Sequence, residues 1–318
     1  MNFIGQARGA TGRFPWLLSF VAVVVTWIAI VLVSGRGLGG TLFSAVEFAP
    51  FLVLVGLGQM LVISMGYGNI DLSIPYVMTL ASFVSVSVMD GGHGSLVLGL
   101  AAALGCGLAV GAVNAVCILA LSVPPIVATL ATGLIASAAA AVRAGDFGSA
   151  VDPRMHDFVT SAVGRVSVLA ILCAAGAGIV AFVLHRTGYG RSLLAYGQSP
   201  RAADLAGVRI TRTRAITYII SALLAALSGT LLAAYVSPSL GIGDPYMLNS
   251  VAVVVLGGTL IVGGRSNAPG VWGGTLFLTL LVTLLNVLHI SAAVQDIVKG
   301  LLIIAVLSVV GGASRRET

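Results

Sequence analysis

The sequence predicts an all-α, polytopic membrane protein, and three observations predict it. Of 318 residues, 58% are hydrophobic and 8% are charged, with a mean hydropathy of +1.10; soluble domains carry about 25% charged residues. The apolar residues come in runs close to the roughly 20 residues that cross the hydrocarbon core as a helix. The alternating pattern of a transmembrane β-barrel is absent, which leaves helices as the spanning structure.

On that ruler the chain holds ten candidate spans, near 16–33, 43–65, 72–89, 96–119, 125–142, 166–185, 215–236, 246–262, 269–288 and 293–310. The run 246–262 is short for a crossing, and 66–71 reads either as a loop or as a break within a helix. The first run follows Arg8 and Arg13 but is about twice as long as a secretory h-region and lacks a small-x-small cleavage pattern, so it is expected to remain as a span. The chain is expected to form one transmembrane domain over 1–318.

Charge placement tests the count. With the N-terminus in the cytoplasm, Arg8, Arg13, six arginines of the segment 186–214, Arg265, Arg315 and Arg316 fall inside. Arg36, Arg143, Arg154 and Arg165 fall outside, so eleven stand against four. Cytoplasmic loops carry such an excess. Asp90, Asp146, Asp152, Asp157, Asp244 and Asp296 lie toward the outer side. Ten spans with both termini cytoplasmic are therefore expected. Spans two to five and seven to ten form two four-helix blocks separated by one span, and an odd spacer inverts one block relative to the other. Each half carries a glycine-rich break, Gly66-Tyr67-Gly68-Asn69 and Gly263-Gly264-Arg265-Ser266-Asn267, followed by a long apolar run with a late asparagine, Asn114 and Asn286.

The segment 186–214 places Arg186, Arg191, Arg201, Arg209, Arg212 and Arg214 against one acid, Asp204. Within it, Ser199 reads as an N-cap, Pro200 as the first helical residue and Gly207 as the residue just past the end. A capped helix in a loop that needs none marks a docking surface, formed by Ser199, Pro200, Arg201, Ala202, Ala203, Asp204, Leu205, Ala206 and Gly207. The loop at 143–165 is balanced in charge and long enough for a small surface helix, either a plain connector or a site for an external partner.

Enzyme chemistry has little to stand on. The single lysine, Lys299, follows Val298, so the lysine a P-loop needs after glycine is missing. His93, His156, His185 and His289 show no ligand spacing, and Cys106, Cys117 and Cys173 sit in apolar runs as packing residues. The basic residues flank apolar runs, so the net charge of +6 speaks for membrane placement and not for nucleic acid. Intramembrane polar groups are the remaining candidates, since charge there costs about 2.5–3.5 kcal/mol on insertion scales. Asp71, in Gly68-Asn69-Ile70-Asp71-Leu72-Ser73, follows a flexible break; it is either a structural or gating carboxylate, or a helix-terminal acid capping the third span with Asn69 or Ser73. Gln59, Asn69, Asn114, Asn249 and Asn286 either line a polar route with it or tie helices together. Glu47 lies near the outer end of span two, and Asp296 and Lys299 are spaced to pair on one helical face. Gly107-x-x-x-Gly111 and Gly270-x-x-x-Gly274 permit close helix packing.

These pieces resemble the membrane permease subunits of bacterial ABC importers of the ribose/xylose type. Gly68 to Ser73 is similar to that family's GGIDLS motif. Gly190-Arg191, Ala195-Tyr196-Gly197 and Ser199 to Val208 resemble its cytoplasmic coupling segment. Val254-Val255-Leu256-Gly257-Gly258-Thr259 with Gly263-Gly264-Arg265, and Gln295 through Gly300, complete the match, in order, from about residue 56 to 307. Ile74-Pro75-Tyr76 and Ser266-Asn267-Ala268-Pro269 depart from it and stiffen the chain. The resemblance implies the type II importer permease fold and a translocation subunit for a monosaccharide or related polyol in a bacterial inner membrane. It implies three partners: a second permease copy, identical or not; a cytoplasmic ATPase holding ATP and Mg on the helix at 200–206; and a periplasmic solute-binding protein. No cofactor is expected in this chain. The arginines of 186–214 have anionic membrane lipid as their other partner. The competing class is an ion-coupled secondary transporter of a small polar solute, with Asp71 as the ion site.

Overall fold

A computed structural model describes residues 16–35, 38–145 and 147–314; Arg8, Arg13, Arg36, Asp146, Arg315 and Arg316 lie outside them. Thirteen helices are present among the described residues: α1 (Trp16–Ser34), α2 (Leu38–Ser64), α3 (Ile74–Met89), α4 (Leu96–Leu119), α5 (Pro125–Gly145), α6 (Pro153–Thr160), α7 (Val168–Arg186), α8 (Gly188–Gln198), α9 (Pro200–Leu205), α10 (Ile210–Val236), α11 (Asp244–Leu256), α12 (Ala268–Val287) and α13 (Ala292–Ser314). A two-residue hairpin, β1 (Ala162–Val163) with β2 (Val166–Ser167), is the sheet found among them.

Eight helices, α1 to α5, α7, α10 and α12, are long and apolar enough to cross a membrane, so the chain is a multi-pass membrane protein. The expected span 246–262 is corrected. Its helix, α11, ends at Leu256 after 13 residues, about 20 Å at 1.5 Å per residue against a hydrocarbon core of about 30 Å. Gly258 turns left-handed at φ +82, followed by Gly263 at +94 and Gly264 at +77, and a side chain is disfavoured at such φ values. The seventh span starts earlier than expected, at Ile210, which takes Arg212 and Arg214 into helix. The segment 186–214 is thus mostly helical, where one short helix in a loop was expected.

Within α2, 83% of the membrane-length window is buried, against 22% in α1 and in α4. The molecule is built around α2, α3 and α10, while α1, α4, α5 and α7 turn residues such as Leu32, Val97, Ile135 and Ile179 outward, as lipid-facing helices do. Element pairing follows a twofold exchange between the halves. Helix α10 packs on α2, α3 and α4, and α2 packs on α10, α11 and α12. Helix α3 packs on α4 and α5, as α11 packs on α12 and α13. The leading helix of each block therefore inserts into the other block.

Glycine sets these crossings, because helices in lipid gain most from backbones that approach closely. A Cβ on Gly107 would lie 2.7 Å from Ala222 O, and one on Gly111 2.8 Å from Ile219 Cα, so this pair seats α4 on α10. A Cβ on Gly274 would lie 2.5 Å from Val253 O, and Gly270 meets Gly257, so the second pair seats α12 on α11.

The small helix expected within 143–165 is α6. Asp152 caps it, accepting from Arg154 N at 2.8 Å and from Arg154 Nη2 at 2.7 Å. The guanidinium hydrogen bond holds the Asp152 carboxyl below the usual carboxylate range. His156 Nδ1 lies 2.9 Å from Ala234 O, which fixes α6 to the end of α10. Glu47 does not stand alone at an interface: it accepts a 2.9 Å hydrogen bond from Tyr235. Lys299 and Asp296 pair at 2.6 Å on α13, and the three cysteines are free.

Gly107→Ala is expected to lower stability in detergent by about 1–3 kcal/mol, the usual cost of overpacking. Gly105→Ala, on the same helix with open space at its Cβ, is expected to be neutral or slightly stabilising. Thermal unfolding of the two variants checks this, and equal midpoints would contradict the assigned crossing.

Candidate functional site

Helix α2 ends at Ser64, and beyond Met65 come three consecutive left-handed residues, Gly66 at φ +66, Tyr67 at +53 and Gly68 at +73. The chain then runs without helix until Ile74, where Pro75 opens α3. The 66–71 region is therefore a true break, and Asp71 lies in it and outside any helix. Backbone that is not helical needs partners from its neighbours when it is buried in a membrane protein, and here side chains supply them. Gln59 Oε1, on α2, accepts from Asp71 N at 3.3 Å. Thr129 Oγ1, on α5, accepts from Leu72 N at 3.1 Å. Asn69 Nδ2 donates to Gly66 O at 2.6 Å and closes the turn on itself.

Asp71 is 1% exposed, and three donors converge on its carboxyl group. Ser73 N and Ser73 Oγ donate to Oδ1 at 3.0 and 2.5 Å, and Ser221 Oγ, on α10, donates to Oδ2 at 2.7 Å. Ser73 stands at the head of α3, yet its hydroxyl serves Asp71 and makes no cap bond. That hydroxyl accepts in turn from Asn114 Nδ2, on α4, at 3.0 Å, and Thr132 of α5 donates to Asn114 Oδ1. A second anchor lies one turn away on α10, where Tyr218 Oη donates to Asn69 Oδ1 at 2.8 Å. Side chains of α2, α4, α5 and α10 thus hold one break. Ser221 lies about 16 Å from the first residue of α10 at 1.5 Å per residue, well inside the helical body. Gly58 of α2 makes room for it: a Cβ there would be 3.1 Å from Ser221 Cα.

The arginine-rich segment is built beside this end. Thr187 caps α8 by accepting from Gly190 N at 3.3 Å. Leu193 and Tyr196 of α8 are buried, and Tyr189 Oη lies 2.8 Å from Thr217 Oγ1 of α10. Ser199 caps α9 by accepting from Ala202 N at 3.3 Å, with Pro200 at the first turn. Gly207 is left-handed at φ +74, and Val208 N donates to Ala203 O at 3.0 Å, which closes the helix. The capping read from Ser199, Pro200 and Gly207 is the geometry found. Of α9, Ala203 is buried and Leu205 is 84% exposed; Arg201, Ala202, Asp204, Ala206 and Gly207 are exposed too.

The two glycine-rich breaks meet each other at the end of α8. Gly264 N donates to Ser64 O at 2.9 Å, and Gln198 Nε2 donates to Gly264 O at 3.3 Å. Gly263 stands so close that its Cβ would fall 2.5 Å from Gly66 Cα, and a side chain on Gly197 would strike Ser64 O and Gly264 N. Three backbone segments share a joint in which Gly66, Gly197 and Gly263 leave no room for side chains of their own, just before α9.

Of the six polar residues expected to line one route, four are brought together: Gln59, Asn69, Asp71 and Asn114. All four are buried. Two are corrected. Asn249 is half-buried on α11, its Oδ1 without a hydrogen-bond partner among the described residues. Asn286 is exposed near the end of α12, where it accepts from Gln295 Nε2 at 2.7 Å and borders a cavity of about 540 Å3 with Ser34, Thr283 and His289. Both belong to the second block, whose break is carried by glycine backbone and Asn267 and not by a matching polar cluster. Thr129, Thr132, Tyr218 and Ser221 were missed. Their signal was present as hydroxyls three apart on one face of an apolar helix, 129 with 132 and 218 with 221. Among the described residues no group of His, Cys, Asp or Glu is placed to hold a metal.

Residues 40–307 match the sequence model of the family described as branched-chain amino acid transport system / permease component. The chain is 30% identical to the ribose import permease protein RbsC of Escherichia coli K12 over 303 residues, covering 91% of this chain and 92% of that one. It is 32% identical to the L-arabinose transport system permease protein AraH of the same organism, covering 81% and 82%. It is also 32% identical to a probable ABC transporter permease protein, y4mJ, of Sinorhizobium fredii, covering 80% and 77%. No solved structure matches.

Ser221→Ala is expected to cost about 1–2 kcal/mol, because it leaves a buried carboxyl oxygen without its donor. Asp71→Asn is expected to cost a similar amount, and the double variant less than the sum. A double-mutant cycle on denaturation in detergent checks this; strict additivity would show that the two side chains do not meet.

Proposed function

The chain belongs to the permease family of ABC transporters, and on that premise we propose that it is the translocation subunit of an ATP-driven importer of a monosaccharide or related polyol. It is a permease and not an enzyme, and in this reading ATP and Mg bind a separate cytoplasmic ATPase. A second permease copy and an external binding protein complete the assembly. The protein sits in the bacterial inner membrane, with the arginine-rich end and both termini on the cytoplasmic side.

The observation that carries this reading is α9. It is a six-residue helix, about 9 Å long, capped at its start by Ser199 and closed at its end by Gly207, with Leu205 84% exposed at its tip. A large apolar side chain held outward on a rigid, capped turn outside the spans is what a partner's groove would take. Ser199, Pro200, Arg201, Ala202, Ala203, Asp204, Leu205, Ala206 and Gly207 form the ATPase dock. Motion there would reach the spans by two links. One is the Gly197 and Gln198 joint to both breaks; the other is Tyr189 against Thr217, next to the Tyr218 and Ser221 anchors. Gln59, Asn69, Asp71 and Asn114 would then act as an inner gate, closed in this state, whose hydrogen bonds exchange partners when the break moves. The hydroxyls and amides around that cluster suit, in class, an uncharged polyhydroxyl solute.

Purified chain, reconstituted in liposomes with the ATPase and binding protein of its own system, is expected to take up solute only when ATP is hydrolysed. Leu205→Asp is expected to leave the thermal midpoint unchanged and to lower uptake at least about tenfold, as loss of an interface anchor does. Normal uptake by that variant would overturn the dock. Uptake that persists without ATP and collapses with the proton gradient would overturn the ATP-driven reading.

A further inference from the structure

The docking helix leaves a second feature of the same segment unused. On the α10 side of the Gly207 turn lies a cavity of about 420 Å3, bordered by Tyr189, Ser192, Val208, Arg209, Arg212 and Thr213. Arg209 and Arg212 are exposed and three apart, so they flank one face of the first turn of α10. Among the described residues neither pairs with a carboxylate. The acid of the segment, Asp204, sits on α9 and does not border the cavity. Two guanidinium groups without a counter-ion, with the Ser192 hydroxyl nearby, are suited to a phosphate group, which guanidinium recognises through paired N–H donors.

The position of the cavity identifies the source of that phosphate. It opens at the first turns of α10, a 27-residue helix long and apolar enough to cross the membrane. A phosphate at that level lies where lipid headgroups lie. The lining is also mixed: Val208 and Ile216 border the same cavity and offer apolar surface to the glycerol and upper acyl region, while Tyr189 is half-buried in the manner of interfacial aromatics. Basic pockets at the ends of membrane helices bind anionic headgroups, each arginine adding to the affinity.

We infer that Arg209 and Arg212 form a discrete site for the headgroup of one anionic phospholipid, seated between α8, the Gly207 turn and α10. Such a lipid would brace α8 against α10 beside the Tyr189 and Thr217 contact. The inference rests on the chain being a membrane protein and stands apart from the import reading.

The test uses the full chain in detergent, delipidated, with bound lipid counted by native mass spectrometry. Phosphatidylglycerol and phosphatidylcholine of matched acyl length are the probes. One phosphatidylglycerol per chain is expected, bound at least about tenfold more tightly than phosphatidylcholine. Arg209→Gln with Arg212→Gln is expected to reduce it to the phosphatidylcholine level, whereas Arg191→Gln, at an exposed position of α8 outside the cavity, leaves it unchanged. Equal binding of the two lipids would overturn the site, as would retention by the double variant. An equal loss in Arg191→Gln would show a diffuse basic surface instead. Displacement by millimolar inorganic phosphate would mark a soluble-anion site, and a double variant that keeps the lipid but loses the ATPase would mark a protein-docking face; either result would also overturn the inference.

Discussion

Between α2 and α3 the chain leaves helical geometry while still buried, and the carboxyl group of Asp71 organises what holds it there. Its two oxygens accept from Ser73 on one side and Ser221 on the other, so the head of α3 and the middle of α10 are tied through one side chain. Unsatisfied backbone in such a place costs several kcal/mol per group. Gln59 and Thr129 remove that cost for Asp71 N and Leu72 N, and Asn114 supports Ser73 from behind. The arrangement is a network whose members depend on one another, since the hydroxyls of Ser73 and Thr129 each donate and accept.

The surrounding architecture follows from where that break sits. Helix α10 carries the anchors at 218 and 221, and it packs between α2, α3 and α4 on small residues and on glycines 107 and 111. The exchange between halves places the second glycine-rich break, at 263 and 264, directly against the first. Because α8 ends at the same joint, the short helix α9 is connected to both breaks through backbone. Backbone contact with no side chain between is stiff, which suits transmission of a displacement. Among the described residues of the second half no carboxyl group stands in for Asp71. The turn there is held by Asn267, which accepts from Gly270 N and donates to Gly257 O.

Much of the fold could be read from residue order. Apolar run length located the eight long helices, and Ser199-Pro200 with Gly207 located the bounds of α9, because capping is a local property of sequence. What failed was tertiary in origin. Residues 257–262 are apolar enough to extend a helix, but two glycines allow the turn and the packing of α12 on α11 takes it. Arg212 and Arg214 look like loop residues by charge, yet they are helical because α10 begins where α9 has turned the chain. At the site, Asp71 was legible as a costly intramembrane charge, and Asn114 as a polar group in an apolar run. Ser221 and Tyr218 were not, since serine and tyrosine are common in such helices and only the fold reveals which ones face the break. Asn249 and Asn286 carried the same sequence signal as Asn114 and are placed elsewhere.

Amide hydrogen exchange over residues 65–73 tests the central claim most directly. If the Asp71 network holds the break, the amides of Asp71, Leu72 and Ser73 exchange as slowly as those of the flanking ends of α2 and α3 in the wild-type chain. In Ser221→Ala they exchange faster, with α2 and α10 themselves unaffected. Rapid exchange of the break in the wild-type protein, or no change on removing the Ser221 hydroxyl, would contradict the account.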